Sequence, residues 1–322
     1  MNILVTGFSG NLGSALVEKL HAEGHDLRLL LHGKAFDRTS FPFQKAVVWG
    51  SMAQFDLFDQ LTQGVDAVVH CAWDSRATSR EDSERINLEG TIRLLQAAAR
   101  NGVQSFIHIS SVAVYGLNRS LWGQVLDEQQ SFVSSADALD DYPRVKVLIE
   151  EKCRQMKDSL DINLMIVRPG LLFSDEKPPA KKLARIKNKK GVGLIVGSGK
   201  NHLPYVHVKD VASMIHILLQ RPVKYAVYNA VPSEHVSVES FLRRWGRTQG
   251  LSLKVMKIPP PCLRMAAWGV RMLKRMMGKR HQGRVDYQIA TGIRNIKYSA
   301  DKARRELSWI DEETREIALR DV

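Results

Sequence analysis

Six short apolar runs, NILVT, LRLLL, AVVW, AVVH, FIHIS and INLMIV, follow one another through the first 170 residues, with helical patterns between most of them. That alternation constrains the fold more than any other feature. Strands separated by helices return parallel to one another in a sheet whose two faces are both covered. The runs are almost uniformly apolar rather than alternating, as strands buried on both sides require. One intervening helix, SERINLEGTIRLLQAAARNG, places Ile86, Leu94, Leu95 and Ala98 at helical spacing, and Asn101-Gly102 supplies its stop. After Pro169 the alternation weakens. A chain of 322 residues has room for a second lobe. The expected division is an α/β domain over 1–170, to which segments near 204–230 return, and a mainly separate lobe over 171–322.

The first run leads directly into TGFSGNLG, with Gly7, Gly10 and Gly13 spaced three apart, and then into an apolar helix. Glycines in such a loop permit the tight turn, let a pyrophosphate approach the backbone and let helix pack closely on strand. The helix N-terminus then offers free N–H groups and a positive dipole end to the phosphates. Residues Gly7, Phe8, Ser9, Gly10, Asn11, Leu12 and Gly13 are therefore read as a dinucleotide-binding loop. An acid at the end of the second strand would hold the ribose 2′-hydroxyl of NAD and repel a 2′-phosphate. Here His32 stands at that place, with Lys34 and Arg38 nearby and Asp37 as the first carboxylate. NADP(H) is the preferred cofactor on this reading. NAD(H) stays open if the loop brings Asp37 round, and Lys34 and Arg38 also suit a solvated loop. The later VGSGK lacks the spacing and the Lys-Ser/Thr ending of a P-loop.

The fifth run ends in HISSVAVYG, so Ser110 and Ser111 fall at the carboxyl edge of the sheet, where open α/β sheets bind ligands. Further on, LDDYPRVK puts Tyr142 and Lys146 on one face of a helix. A serine hydroxyl, a phenol and a lysine form a proton-transfer set beside a nicotinamide. A phenol near its ordinary pKa of about 10 is a poor base at neutral pH, so nearby positive charge must favour the phenolate. Lys146 is expected to supply that charge, whereas Asp140 and Asp141 would oppose it unless they point to solvent.

TGFSGNLG, HCAW, INLEGTIRLL, SSVAVYG, YPRVK, RPG, VGSGKNHLPYVHVKDVA and YSADKARRELSW together make the chain resemble the extended short-chain dehydrogenase/reductases, the NAD-dependent epimerase/dehydratase family, over essentially its whole length. The resemblance implies a Rossmann-type doubly wound parallel sheet with a smaller C-terminal α/β substrate lobe. It implies Tyr142 as general acid/base, Ser111 on the reacting oxygen and Lys146 on the nicotinamide ribose. Asn87 matches a residue that supports the site, and is equally read as an ordinary polar helix position. Ser51 and Met52, Cys71 and Ala72, and Pro169 join the cofactor set. Ser51 stands where many relatives carry an acid that contacts adenine, which makes that contact weaker or different. Trp73, Ser111 and Val112, with Lys181, Lys182 and Arg185 of a closing segment, are the substrate set. SSVAVYG lacks the acidic pair of the sugar 4,6-dehydratases, which disfavours dehydration.

The implied activity is hydride transfer between a nicotinamide and a secondary alcohol or ketone, best on a nucleotide-linked sugar. A 4-epimerase that retains NAD, a ketone reductase for a steroid- or flavonoid-like substrate, and a non-catalytic cofactor-binding regulator are the alternatives. The family suggests a homodimer through the helices beginning near Glu84 and Tyr142.

The formal charge of +13 would suggest nucleic acid or membrane if it were evenly spread. It is concentrated instead. Lys177–Lys200 holds eight Lys or Arg and no acid, and Leu251–Val285 holds nine and no acid. The first segment suits an anionic substrate, or a solvated basic surface. Within the second, residues 262–280 wind into an amphipathic helix with Leu263, Ala266, Val270, Leu273 and Met277 on one side and Arg264, Arg271, Arg275 and Lys279 on the other. A lid helix packed on its own core is the first reading and a membrane surface the second. No nucleic-acid module is recognisable. Three scattered cysteines without metal-ligand spacing, a start that runs straight into a strand pattern and the lack of a long apolar run lead to the expectation of a cytoplasmic protein with no export signal, disulfide framework or metal.

Overall fold

All six apolar runs become strands, and their alternate residues point into two separate cores. The computed structural model describes residues 1–32, 47–77, 79–134, 137–138, 140–175, 190–276 and 284–319. The first part contains β1 (Asn2–Thr6), α1 (Asn11–Ala22), β2 (Asp26–Leu31), β3 (Val47–Trp49), α2 (Phe58–Thr62) and β4 (Ala67–His70). It continues through α3 (Arg80–Ser83), a π-helical stretch over Glu84–Glu89, α4 (Gly90–Arg100), β5 (Ser105–Ile109), β6 (Val125–Leu126), α5 (Asp141–Met156) and β7 (Asn163–Pro169). Then come β8 (Leu171–Phe173), β9 (Lys190–Val196), β10 (Tyr205–His207), α6 (Val208–Gln220), β11 (Tyr225–Ala230), α7 (Val238–Thr248) and β12 (Ser252–Ile258). The remainder is α8 (Pro260–Met276), α9 (Arg284–Ile293), β13 (Lys297–Tyr298), α10 (Asp301–Leu307) and α11 (Glu312–Leu319).

Among the described residues a seven-stranded sheet runs in the order β11-β7-β5-β4-β1-β2-β3, every pair parallel. The chain reverses direction across the sheet between β1 and β4, which is where such sheets open a crevice at their carboxyl ends. Ile3, Val5, Val69, Ile107, Met165 and Val167 enter one core with Leu16 and Leu20 of α1 and Met214 and Leu218 of α6. Leu4, Val68, Phe106, Leu164 and Ile166 enter the other with Leu94 and Leu95 of α4 and Ile149 of α5. This is the doubly wound arrangement that the apolar runs require. The strand of this sheet that the six runs do not include is β11, whose YAVYNA carries two tyrosines and an asparagine; its whole length pairs with Leu164–Pro169 of β7.

Beyond Gly170 part of the chain forms a smaller body, while α6 and β11 return to the main sheet. The two-stranded parallel pairs β8·β10 and β9·β12 pack with α7 around Phe173, Ile195, Leu203, Tyr205, Phe241 and Trp245. Asp210 of α6 fastens the chain's end, accepting from the backbone N–H groups of Glu313 and Thr314 at 3.0 and 2.9 Å. No helix among the described residues is long and apolar enough to cross a membrane.

One buried polar chain joins β5, α5, β7 and the edge strand β11 of the main sheet. Arg168 of β7 pairs with Glu150 of α5 at 2.6 Å, with both side chains enclosed. Glu150 also accepts from the Ser110 hydroxyl at 2.5 Å, and Arg168 donates to the Tyr115 hydroxyl at 2.8 Å. Tyr115 donates in turn to Asn229 of β11, whose backbone N–H donates to Glu128. Removing one partner of such a pair strands the other charge. Arg168→Met is expected to cost about 3–5 kcal/mol in urea denaturation, and adding Glu150→Leu should recover much of the loss. Additive losses would show that the pair is not coupled.

Candidate active site

The glycine loop connects β1 to α1 at the crevice, and its geometry admits no larger residue at two points. Gly7 has φ +72°, and a Cβ there would lie 2.6 Å from the backbone N of Ala72. A Cβ on Gly13 would lie 2.3 Å from the Gly7 carbonyl oxygen. The loop is thus pressed between its own helix and the Cys71-Ala72 turn after β4. Gly10 caps α1, no side chain fills that end and no acid occupies the first turn. An uncapped N-terminus beside a glycine cradle fits the pyrophosphate of a dinucleotide. Phe8 and Leu12 have their side chains in the core, so only their backbones border the loop, whereas Ser9 is exposed. Gly13→Ala is expected to lower dinucleotide affinity by at least about tenfold in fluorescence titration, because the loop must move off the helix.

His32 follows the last residue of β2 and is exposed, while Lys34 and Arg38 lie outside the described residues. The Ser51 hydroxyl oxygen accepts from the backbone N–H of Ala53 at 3.2 Å, which leaves its O–H to donate. Met52 follows in the same turn, its carbonyl against Gly90.

The two serines after β5 separate cleanly. Ser110 is buried and committed to Glu150, whereas Ser111 is partly open and hydrogen-bonded through its side chain to Tyr142. Tyr142 opens α5, and its neighbours are otherwise engaged. Asp140 caps the helix by accepting from the Tyr142 backbone N–H, and Asp141 pairs with Arg144 at 2.6 Å. Neither carboxylate bears on the phenol. Burial pushes the Tyr142 hydroxyl above its ordinary value, and the Ser111 hydrogen bond pulls the other way without overcoming it.

Lys146 does not by itself lower the phenol as the spacing suggests. Its ammonium is buried and donates to the Ile109 carbonyl at 2.7 Å, 5.1 Å from the Trp73 ring centroid. Trp73 in turn meets the Tyr142 ring edge to face at 4.8 Å. Burial lowers Lys146 to about 8, opposed by the charge of Glu150. At this one group the folded protein binds fewer protons than the unfolded chain between pH 8 and 10.5, so the Lys146 contribution to stability rises with pH across that window. Lys146→Met is expected to remove a pH-dependent difference of about 3 kcal/mol, read from urea denaturation at both ends of the window. A variant with the wild-type pH slope would contradict this.

Asn87 lies in the π-helical stretch and grips the turn that carries Trp73. It donates to the Asp74 carbonyl at 3.1 Å and accepts from the Asp74 N–H at 2.8 Å. Its place is support of that turn, and π-helical stretches of this kind are frequent at functional sites. Burial pushes the Cys71 thiol up to about 12, which disfavours the reactive thiolate. Val112 is buried in the core and leaves only backbone to the site, and Pro169 ends β7. Lys181, Lys182 and Arg185 lie outside the described residues.

The sequence reading passed over Arg294. Its side chain is 2% exposed, and its Nε and Nη2 have no partner among the described residues. The buried hydroxyls of Tyr205 and Tyr298 are unpartnered in the same way, and the guanidinium lies 5.7 Å from the Tyr298 ring. Tyr298 meets Tyr115, which closes the turn begun by Ser111. Buried donors left unpaired are where a ligand, ion or water is expected. Nothing in the residue order marked Arg294, which lies beyond both basic segments.

The family model for NAD dependent epimerases and dehydratases matches residues 3–230. The chain belongs to that family. Among curated proteins it is 26% identical to the Escherichia coli O157:H7 N-acetyl-α-D-glucosaminyl-diphospho-ditrans,octacis-undecaprenol 4-epimerase, over 87% of this chain and 82% of that protein. It is 25% identical to a 4-hydroxy-2-methyl-3-oxo-4-farnesyl-3,4-dihydroquinoline-1-oxide ketoreductase of Stigmatella aurantiaca, over 99% and 95%. Among solved structures the UDP-glucose 4-epimerase of Thermus thermophilus, complexed with NAD, superposes with TM-score 0.71 at 20% identity, over 99% of this chain and 97% of that one. The last likeness is one of fold. The chain is an NAD-dependent oxidoreductase or epimerase of the short-chain type by family.

Proposed function

We propose that the protein transfers hydride between a nicotinamide and a secondary alcohol or ketone of a small, anionic substrate, with Tyr142 as general acid/base. The observation that carries this reading is the Ser111–Tyr142 hydrogen bond at the carboxyl edge of the sheet, with Lys146 one helical turn on. A bound nicotinamide supplies the hydride donor or acceptor. Ser111 holds the reacting oxygen, and Tyr142 gives or takes its proton. Lys146, anchored on Ile109, presents its remaining N–H groups to ribose hydroxyls. The fold alone keeps the phenol protonated at neutral pH, the form needed to donate to a carbonyl. Reduction is therefore the favoured direction there, and oxidation gains as pH rises.

NADP(H) is the proposed cofactor, on the strength of His32 at the end of β2 in place of an acid. Arg294 with Tyr205 and Tyr298 suits a phosphate-linked substrate such as a nucleotide- or diphosphate-linked sugar. The 4-epimerase reading uses the same residues and is supported by the activity named for the Escherichia coli relative. The proposed homodimer would use the surface where Arg144 of α5 pairs with Glu84 at 2.5 Å.

Tyr142→Phe is expected to lose about 10²–10⁴-fold in turnover while binding cofactor as the wild type does, measured by steady-state kinetics and fluorescence titration. Unchanged turnover would remove Tyr142 from its role. Titration of the stripped protein is expected to give tighter NADPH than NADH; retained NAD or an NADH preference would move the epimerase reading to first place.

A further inference from the structure

Three large apolar side chains stand in solvent on α8: Met265 is 71% exposed, Trp268 60% and Met272 45%. Their positions, three and four residues apart, form one stripe along the helix. It is neither of the two faces that periodicity singled out, and it lies beside the line of Arg264, itself exposed. Leu263, from the expected apolar face, is half-buried.

The tertiary structure also joins what the sequence separates. β9 pairs with β12 from Lys190↔Ser252 to Ile195↔Lys257 and Val196↔Ile258. The described parts of the two acid-free basic segments, over 190–200 and 251–276, therefore meet in one small sheet, from which α8 departs. Met256 of β12 is 49% exposed there. Glu239 of α7 answers Lys257 at 2.6 Å, and neither segment carries an acid of its own.

We propose that α8 is a docking helix that seats the protein on anionic phospholipid bilayers. Tryptophan and methionine side chains beside arginines suit the boundary between headgroups and acyl chains. A second copy of this chain would press one acid-free basic surface against another, whereas an anionic leaflet neutralises it. Nucleic acid would satisfy the charge and leave the Met-Trp-Met stripe in water. The proposal deepens the reading given under Proposed function and rests on it in one respect: the secondary alcohol or ketone is carried on a lipid anchored in the bilayer. Both curated relatives described above have polyprenyl groups in their substrates' names, undecaprenol in one and farnesyl in the other.

The test is co-sedimentation of the full chain with extruded vesicles of phosphatidylcholine alone or mixed with phosphatidylglycerol. The anionic vesicles are expected to bind at least about tenfold more tightly, and binding should weaken as salt shortens the screening length. The variant Met265→Glu/Trp268→Glu/Met272→Glu is expected to lose that binding and keep wild-type NADPH affinity. The milder Trp268→Ser should show a smaller loss in the same direction. No anionic-vesicle binding, or binding untouched by either variant, overturns the proposal. So does a dimer in sedimentation velocity that either variant abolishes, or retention of an oligonucleotide in place of vesicles. Vesicle binding needs neither cofactor nor turnover, so loss of the oxidoreductase reading would appear in the NADPH titration and leave this measurement unaffected.

Discussion

The buried pair between Arg168 and Glu150 ties together elements that the chain order keeps apart. A guanidinium and a carboxylate this deep are tolerable only with good geometry and further hydrogen bonds on their remaining atoms. Ser110 and Tyr115 supply those bonds, and Asn229 extends them to β11. Four structures therefore share one electrostatic anchor: the end of β5, the middle of α5, the end of β7 and the edge strand. Ser111 follows Ser110 directly, and Lys146 lies one turn before Glu150 on α5. The candidate acid, its serine and its lysine are held at fixed mutual positions by a network that none of them joins.

Burial dominates the chemistry of the site. It raises the Tyr142 phenol and lowers the Lys146 ammonium, so both groups are moved toward their neutral forms. Lys146 is engaged by the Ile109 carbonyl and faces Trp73, while the two aspartates before Tyr142 serve as a helix cap and an arginine partner. The protein without cofactor thus holds a protonated phenol beside a serine. Charge from an oxidised nicotinamide is what a phenolate would need, which links the direction of proton transfer to the state of the cofactor.

The second half of the chain handles charge differently. Its apolar core is small, built on Phe173, Phe241 and Trp245, and its two basic segments contain no acid of their own. Bringing β9 against β12 sets Lys254 and Lys257 next to a helix that exposes Met265, Trp268 and Met272. Lys257 finds Glu239 on α7, and the excess that remains favours anionic matter from outside the chain.

The sequence by itself determined the sheet, the glycine loop and the placement of Ser111, Tyr142 and Lys146, because each depends on short-range rules: uniform apolar runs, glycine conformation and helical spacing. It also located both basic segments. Only the tertiary structure decided which serine faces the phenol, since Ser110 and Ser111 are chemically alike until Glu150 claims one. It alone placed the tyrosine-rich β11 in the main sheet, exposed the Met265-Trp268-Met272 stripe, and buried Arg294 beside two tyrosines. Those outcomes rest on contacts between residues far apart in the chain, where burial and available partners, rather than local periodicity, set the free energy.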